Sequence, residues 1–199
     1  MKTMPMLFII TGPAATGKTT LGRRLSQEFN LPFFHKDGFK EMMYDVVERQ
    51  SGAAAISIEM SCLLGQMSIE CLRMVMEEIL SKGVSLIIEA NFDAVLFSPC
   101  VRELQQRCPF NIVQMQLKCE GNTLLNRFVQ RERENRHPGH QGLKQMARVS
   151  ASLLRGEEEP LDVGGDLLVF DTTDFDLVRY DGLFDLARKR LLERRDVQG

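Results

Sequence analysis

Apolar residues along the chain fall into short continuous blocks separated by stretches with helical spacing. Residues 7–10 form an apolar run that predicts a buried strand, and it leads straight into a glycine-rich segment. Over 18–29, Leu21, Leu25 and Phe29 recur at helical intervals, and Leu31-Pro32 ends that helix. Residues 33–35 predict a second strand, ending at Lys36-Asp37-Gly38, and 39–49 predict a short helix. Residues 51–55 are small and predict a loop. Over 59–80, Met60, Leu64, Met67, Cys71, Met74 and Val75 mark the apolar stripe of a long amphipathic helix, closed by Lys82-Gly83. A third apolar strand spans 84–88 and ends at Glu89-Ala90-Asn91.

The second half continues the alternation. Residues 93–108 predict a helix that Pro99 must start or kink. In 112–119, Val113, Met115, Leu117 and Cys119 alternate with Gln114, Gln116 and Lys118, so this fourth strand is expected to keep one face less buried. Residues 122–135 form a basic helix, broken at His137-Pro138-Gly139-His140; 143–154 are helical and 156–165 form an acidic loop. Residues 167–170 predict a fifth strand and 177–195 a charged final helix. Strands alternating with helices imply an α/β fold: a parallel sheet covered on both faces, hence three layers. Ligands of such sheets bind at the carboxyl ends of the strands. The candidate polar groups gather there: the glycine loop after the first strand, Asp37 after the second, Glu89 after the third and Thr172 after the fifth.

Composition narrows the class. At 199 residues the chain suits one domain, expected over 1–199, and 44% apolar content supports a sizeable core. A net charge of −2 offers no global attraction to nucleic acid or to an anionic membrane, and no apolar run is long enough to span one. The opening segment could pass for a short signal peptide, but it lacks a full apolar region and a cleavage site, and it reads as a strand. Five scattered cysteines without a Cys-x-x-Cys pair read as reduced thiols of a cytoplasmic protein.

The strongest local chemistry is Gly-x-x-x-x-Gly-Lys-Thr over 12–19, between a strand and a helix, which is the context of a phosphate-binding P-loop. Gly12 and Gly17 permit backbone angles that side chains block. The N–H groups from Ala14, Ala15 and Thr16 through Gly17 and Lys18 to Thr19 can then point at phosphate oxygens, helped by the positive end of the helix. Lys18 is expected at the β and γ phosphates, Thr19 on Mg²⁺ and Thr20 at the α phosphate. Glu89, after Leu86-Ile87-Ile88, stands where P-loop proteins carry the acid that holds Mg²⁺ directly or through water. Asp37 is either a turn residue of an Asp-Gly pair or a carboxylate that accepts the proton of a substrate hydroxyl. Arg127 and Arg131 share a helix face, and with Arg136 and the Pro-Gly break they suggest a lid over 127–142 that meets phosphate. His137 and His140 read as lid structure or phosphate donors rather than metal ligands, and the methionine-rich stretches read as helix core.

Together, the loop from Gly12 to Thr20, Asp37, Leu-Ile-Ile-Glu-Ala-Asn-Phe over 86–92 and Arg-His-Pro-Gly-His over 136–140 resemble the small P-loop kinases. The likeness is to the AAA-type group that includes zeta-toxin-like and chloramphenicol phosphotransferase-like kinases, and it spans nearly the whole chain. The resemblance implies a five-stranded sheet in order 2-3-1-4-5, ATP as donor and Mg²⁺ as cofactor. It implies that Arg127 packs on adenine and Arg131 meets phosphate. It places Thr172 and Thr173 beside the adenine, Asp37 at the acceptor hydroxyl, and Asn91 and Phe92 in the acceptor site. Arg131 and Arg136 join Lys18 and Asp37 as catalytic candidates. The leading reading is a kinase acting on a hydroxyl of a small molecule. A polynucleotide or nucleoside kinase, and a nucleotide-binding switch or ATPase, are the alternatives. No Asn-Lys-x-Asp base-reading motif is present, which argues against a GTPase-type switch. Oligomeric state and acceptor identity have no motif in the chain.

Overall fold

The first strand, β1 (Met6–Thr11), is buried at every position. Its alternate side chains feed two separate cores. Leu7 and Ile9 face one core, and Met6, Phe8 and Ile10 face the other. In the computed structural model, which describes residues 4–52, 56–134 and 136–192, this strand is the centre of a five-stranded parallel sheet ordered β2-β3-β1-β4-β5. The other strands are β2 (Phe33–His35), β3 (Leu86–Glu89), β4 (Asn111–Lys118) and β5 (Asp166–Asp171). Leu7 pairs with Leu86 on one side and Ile112 on the other, and Val113 pairs with Asp166.

The helices are α1 (Lys18–Phe29), α2 (Lys36–Ser51), α3 (Ile58–Ser81), α4 (Ala94–Arg107), α5 (Gly121–Glu134), α6 (Met146–Arg155) and α7 (Asp181–Leu192). Leu72, Met76 and Leu80 of α3 and Phe97, Val101 and Leu104 of α4 pack on one sheet face. Leu21 and Leu25 of α1 and Leu183 and Ala187 of α7 pack on the other. This is the three-layer α/β arrangement. No helix among the described residues is long and apolar enough to cross a membrane.

Several local expectations change. Lys36-Asp37-Gly38 is not a turn after β2 but the first turn of α2, capped by the His35 side chain, which accepts from the Gly38 amide. The face predicted less buried on β4 is covered. Gln114 donates to the Leu161 carbonyl and accepts from the Leu161 amide, while Gln116 donates to the Glu158 carbonyl. The acidic loop thus satisfies both amides, which polarity alone would have sent to water. The stripe predicted for α3 is also displaced. Met67 and Met74 are exposed, and the buried positions are Ser61, Leu64, Ser68, Leu72, Met76 and Leu80. Two serines hide that face from a hydrophobicity reading: Ser61 bonds the Gly139 carbonyl and Ser68 the Leu64 carbonyl. Pro99 lies inside α4, which Asp93 caps through the Val95 and Leu96 amides. The final helix begins at Asp181 rather than 177 because 175–177 form a 3₁₀ turn. Part of the loop predicted at 51–55, residue 135 and the tail of the last helix lie outside the described residues. All five cysteines are free thiols; Cys119 is buried and the others are half-buried.

Candidate active site

The loop between β1 and α1 is shaped by positive φ angles. Gly12 sits at φ 135° and Gly17 at φ 89°, and a Cβ on Gly12 would collide with the Leu117 carbonyl oxygen on β4. Ala15 also takes a left-handed conformation, at φ 67°. Gly17 caps α1 without a side-chain hydrogen bond, so no side chain occupies the helix N-terminal amides. Thr16 is fully buried and donates from Oγ1 to the Pro13 carbonyl at 2.9 Å. Lys18 is folded over the loop, and its Nζ donates to the same carbonyl at 2.8 Å.

Thr19 on α1 donates from Oγ1 to Glu89 Oε2 at 2.8 Å, joining the helix start to the end of β3. The pair offers a hydroxyl oxygen and a carboxylate, both hard donors, beside a phosphate loop. That donor set fits Mg²⁺, which takes one or two protein oxygens and completes its shell with phosphate and water. Among the described residues no group of three or more His, Cys, Asp or Glu forms a metal cluster.

A cavity of about 630 Å³ opens over this loop. Of the residues predicted for the site, it brings together Ala14, Ala15, Gly17, Lys18, Thr19, Thr20, Asp37, Glu89, Asn91, Arg127, Arg131 and Arg136. Gly12 and Thr16 lie behind the loop and shape it. Phe92 is not brought in: its ring stacks on Phe97 at 4.2 Å in the sheet core. Thr172 and Thr173 do not line the cavity through their side chains. Their carbonyls accept from Arg127 at 2.6 and 2.8 Å, and their hydroxyls bond the Lys118 carbonyl and the Glu120 amide. Arg127 is thereby held over Phe175, with its guanidinium carbon 4.0 Å from the ring centroid.

The segment after α5 lies against α2. Arg136 donates to Asp37 Oδ2 at 2.6 Å, and its Nε is 3.3 Å from Glu132 Oε1. His140 Nε2 is 2.8 Å from Glu41 Oε1, and His137 Nε2 is 3.0 Å from Asp45 Oδ1. Ser61 Oγ and Gln141 Nε2 tie the same segment to α3 and to Ile56. Burial alone would raise the Asp37 carboxyl, but the facing His140 and Arg136 outweigh it and hold that carboxyl well below the usual range. His140 itself is pushed down to about 4, chiefly by burial and against the pull of Asp37. At neutral pH, then, Arg136 is the standing cation on Asp37. Burial also lowers Lys36, Lys40 and Arg131 from their ordinary values.

The sequence reading missed several residues here. Lys36 donates to Asn91 Oδ1 at 2.9 Å, and Lys40 and Glu41 line the cavity from α2. Their signal was available only once α2 began at Lys36, because 36, 37, 40 and 41 then share one face. The Glu132 side chain is buried and accepts from the Gly142 amide at 3.0 Å. Glu158 comes from the acidic loop to the back of the phosphate loop. Burial raises its carboxyl against Lys18, Lys36, Arg155 and the Gly12 backbone, and Oε2 has no hydrogen-bond partner.

The fold, the phosphate loop and the Thr19–Glu89 pair define a nucleotide-binding P-loop protein of the small-kinase type. The chain belongs to the AAA domain family, whose model matches residues 7–154. It is similar to a candidate kinase from Chloroflexus aurantiacus J-10-fl, with 34% identity over 94% of this chain and 98% of that one and a TM-score of 0.83. A sugar kinase from Janibacter sp. HTCC2649 is 17% identical over 94% of each chain, with a TM-score of 0.53. A chain of the PezAT chromosomal toxin–antitoxin system of Streptococcus pneumoniae is 14% identical over 90% of this chain and 71% of that one, with a TM-score of 0.55. The last two likenesses concern the fold alone. No curated protein matches the chain.

Proposed function

We propose that the protein is an ATP-dependent kinase that transfers the γ-phosphoryl group to a hydroxyl of a small-molecule acceptor. The observation that carries this reading is the placement of the Asp37 carboxylate in the same cavity as Lys18 and the phosphate loop. The likeness to the Chloroflexus candidate kinase over nearly the full length of both chains supports it.

In this reading the loop amides and Lys18 hold the β and γ phosphates, and Arg127, backed by Phe175, packs on the adenine. Thr19 and Glu89 would hold Mg²⁺, which supplies charge neutralisation on the phosphate oxygens when bound. Asp37 Oδ2 is taken by Arg136, which leaves Oδ1 to accept from the acceptor hydroxyl. The acceptor oxygen attacks the γ phosphorus, the bond from phosphorus to the ADP oxygen breaks, and the hydroxyl proton passes to Asp37. A carboxylate held this acidic takes the proton only as the new bond forms, so its main work is to orient the hydroxyl. Arg131 and Arg136 would meet the charge spread over the transferring group, and 127–142 would act as the lid that encloses it.

The test is a mass-spectrometric screen for phosphate transfer from ATP to a metabolite library. One or more phosphorylated alcohols are expected. Nucleotide binding and hydrolysis without any phosphorylated acceptor would replace this reading with an ATPase or a switch.

A further inference from the structure

Lys40 is a buried cation of the cavity to which the proposed chemistry gives no role. It lies on α2 one helical turn beyond Asp37, roughly 5 Å along the axis, and lines the same cavity. The residue is only 8% exposed. Among the described residues no hydrogen bond and no ion pair within 4.0 Å reaches its ammonium. The neighbouring carboxylates are already engaged. Asp37 is bound by Arg136, Glu41 by His140, Glu132 by Arg136 and the Gly142 amide, and Glu89 by Thr19.

A buried ammonium without a partner is costly, and proteins keep such groups where an anion completes them. Lys18 and Lys36 are directed to the phosphate loop and Asn91, so nucleotide phosphate is not the natural partner of Lys40. Its place one helical turn from Asp37, in the same cavity, suits an acceptor that carries an anion beyond its hydroxyl.

We infer that Lys40 forms an anion subsite, so that the acceptor is an alcohol carrying a carboxylate or a phosphate about one helical turn from the hydroxyl presented to Asp37. This rests on the kinase reading for the word acceptor. The anion site itself does not depend on transfer. Unlike Lys18, which meets a phosphate that leaves, Lys40 would hold a group common to substrate and product, and so would set KM and selectivity more than kcat.

The test has two arms, both with the phosphate loop filled by a nonhydrolysable ATP analogue and Mg²⁺. In the binding arm, calorimetry follows D-glycerate, glycerol 3-phosphate and neutral glycerol on the full chain. Saturable binding of at least one of the two anions is expected, and none of glycerol. Lys40→Gln should weaken that binding about tenfold or more, and Lys40→Arg should restore most of it. Unchanged affinity for the ATP analogue reports that each variant is folded. Which anion binds separates carboxylate from phosphate recognition. No anion binding, or binding indifferent to Lys40→Gln in a folded variant, would overturn the subsite. In the transfer arm, the metabolite library is sorted into carboxylates, phosphate esters and neutral alcohols. Transfer to neutral alcohols alone, unaffected by Lys40→Gln, overturns the subsite while upholding the kinase. Anion binding without transfer to any alcohol overturns the kinase while upholding the subsite.

Discussion

Arg136 and Asp37, 99 residues apart in the chain, are joined by a hydrogen bond of 2.6 Å between oppositely charged groups. The same guanidinium reaches the buried Glu132, so one side chain ties the segment after α5 to the start of α2. Arg136→Ala should strand one buried carboxylate and free another. A stability loss of about 3 kcal/mol is expected, with Asp37 titrating at higher pH. Chemical denaturation and a carboxyl NMR titration would check both, and an unshifted Asp37 would remove Arg136 as its controlling charge.

Asp37→Asn keeps size and polarity and removes the charge. Transfer to the acceptor should fall roughly 10²–10⁴-fold, with the affinity for ATP nearly unchanged. Loss of nucleotide binding instead would assign Asp37 to Mg²⁺ or to folding.

Lys18→Ala removes the ammonium from the phosphate loop without opening the core. Turnover should drop by on the order of 10²–10³-fold or more while the circular dichroism spectrum is preserved. Full activity in a folded variant would sink the phosphate assignment.

His140 gives the fold an acid-sensitive step. Its pKa falls from an ordinary 6.5 to about 4 in the folded protein, so the unfolded chain binds the proton first as pH drops. The neutral form's stabilisation is complete above pH 6.5 and is lost progressively between 6.5 and 4, on the order of 3 kcal/mol in all. Asp37, also held low, adds a second loss below its ordinary 3.8. Denaturant midpoints measured from pH 7.5 to 4 should decline for the parent protein and stay flatter across that window for His140→Gln.

The lid assignment predicts ligand-dependent protection. Segment 136–142 already contacts α2 through His137, α3 through the Gly139 carbonyl and Ile56 through Gln141. Adding an acceptor and a nonhydrolysable ATP analogue together should slow proteolysis there severalfold. Equal cleavage with and without them would argue against closure.

The phosphate loop and the alternation of strands and helices were legible in the sequence because both are local. Strand and helix periods repeat every few residues, and the loop needs its two glycines within one turn of chain, at φ 135° and 89°. Burial along β1 and the helix at Lys18 follow directly from that pattern. What only the tertiary structure decided depends on which partner each polar side chain meets, near in the chain or far from it. His35, by capping α2 at Gly38, moved Asp37 from a turn onto a helix and set Lys40 on its face. The acidic loop turned Gln114 and Gln116 from a solvated edge into buried partners. Ser61 and Ser68 are buried on α3 because each found a carbonyl, a match no hydrophobicity scale contains. Phe92, placed by resemblance in the acceptor site, instead stacks on Phe97 because the core offered its ring a larger apolar contact than the cavity did. A polar side chain's position is set by the partner that satisfies it, and for Gln114, Gln116 and Ser61 that partner arrives from another part of the fold.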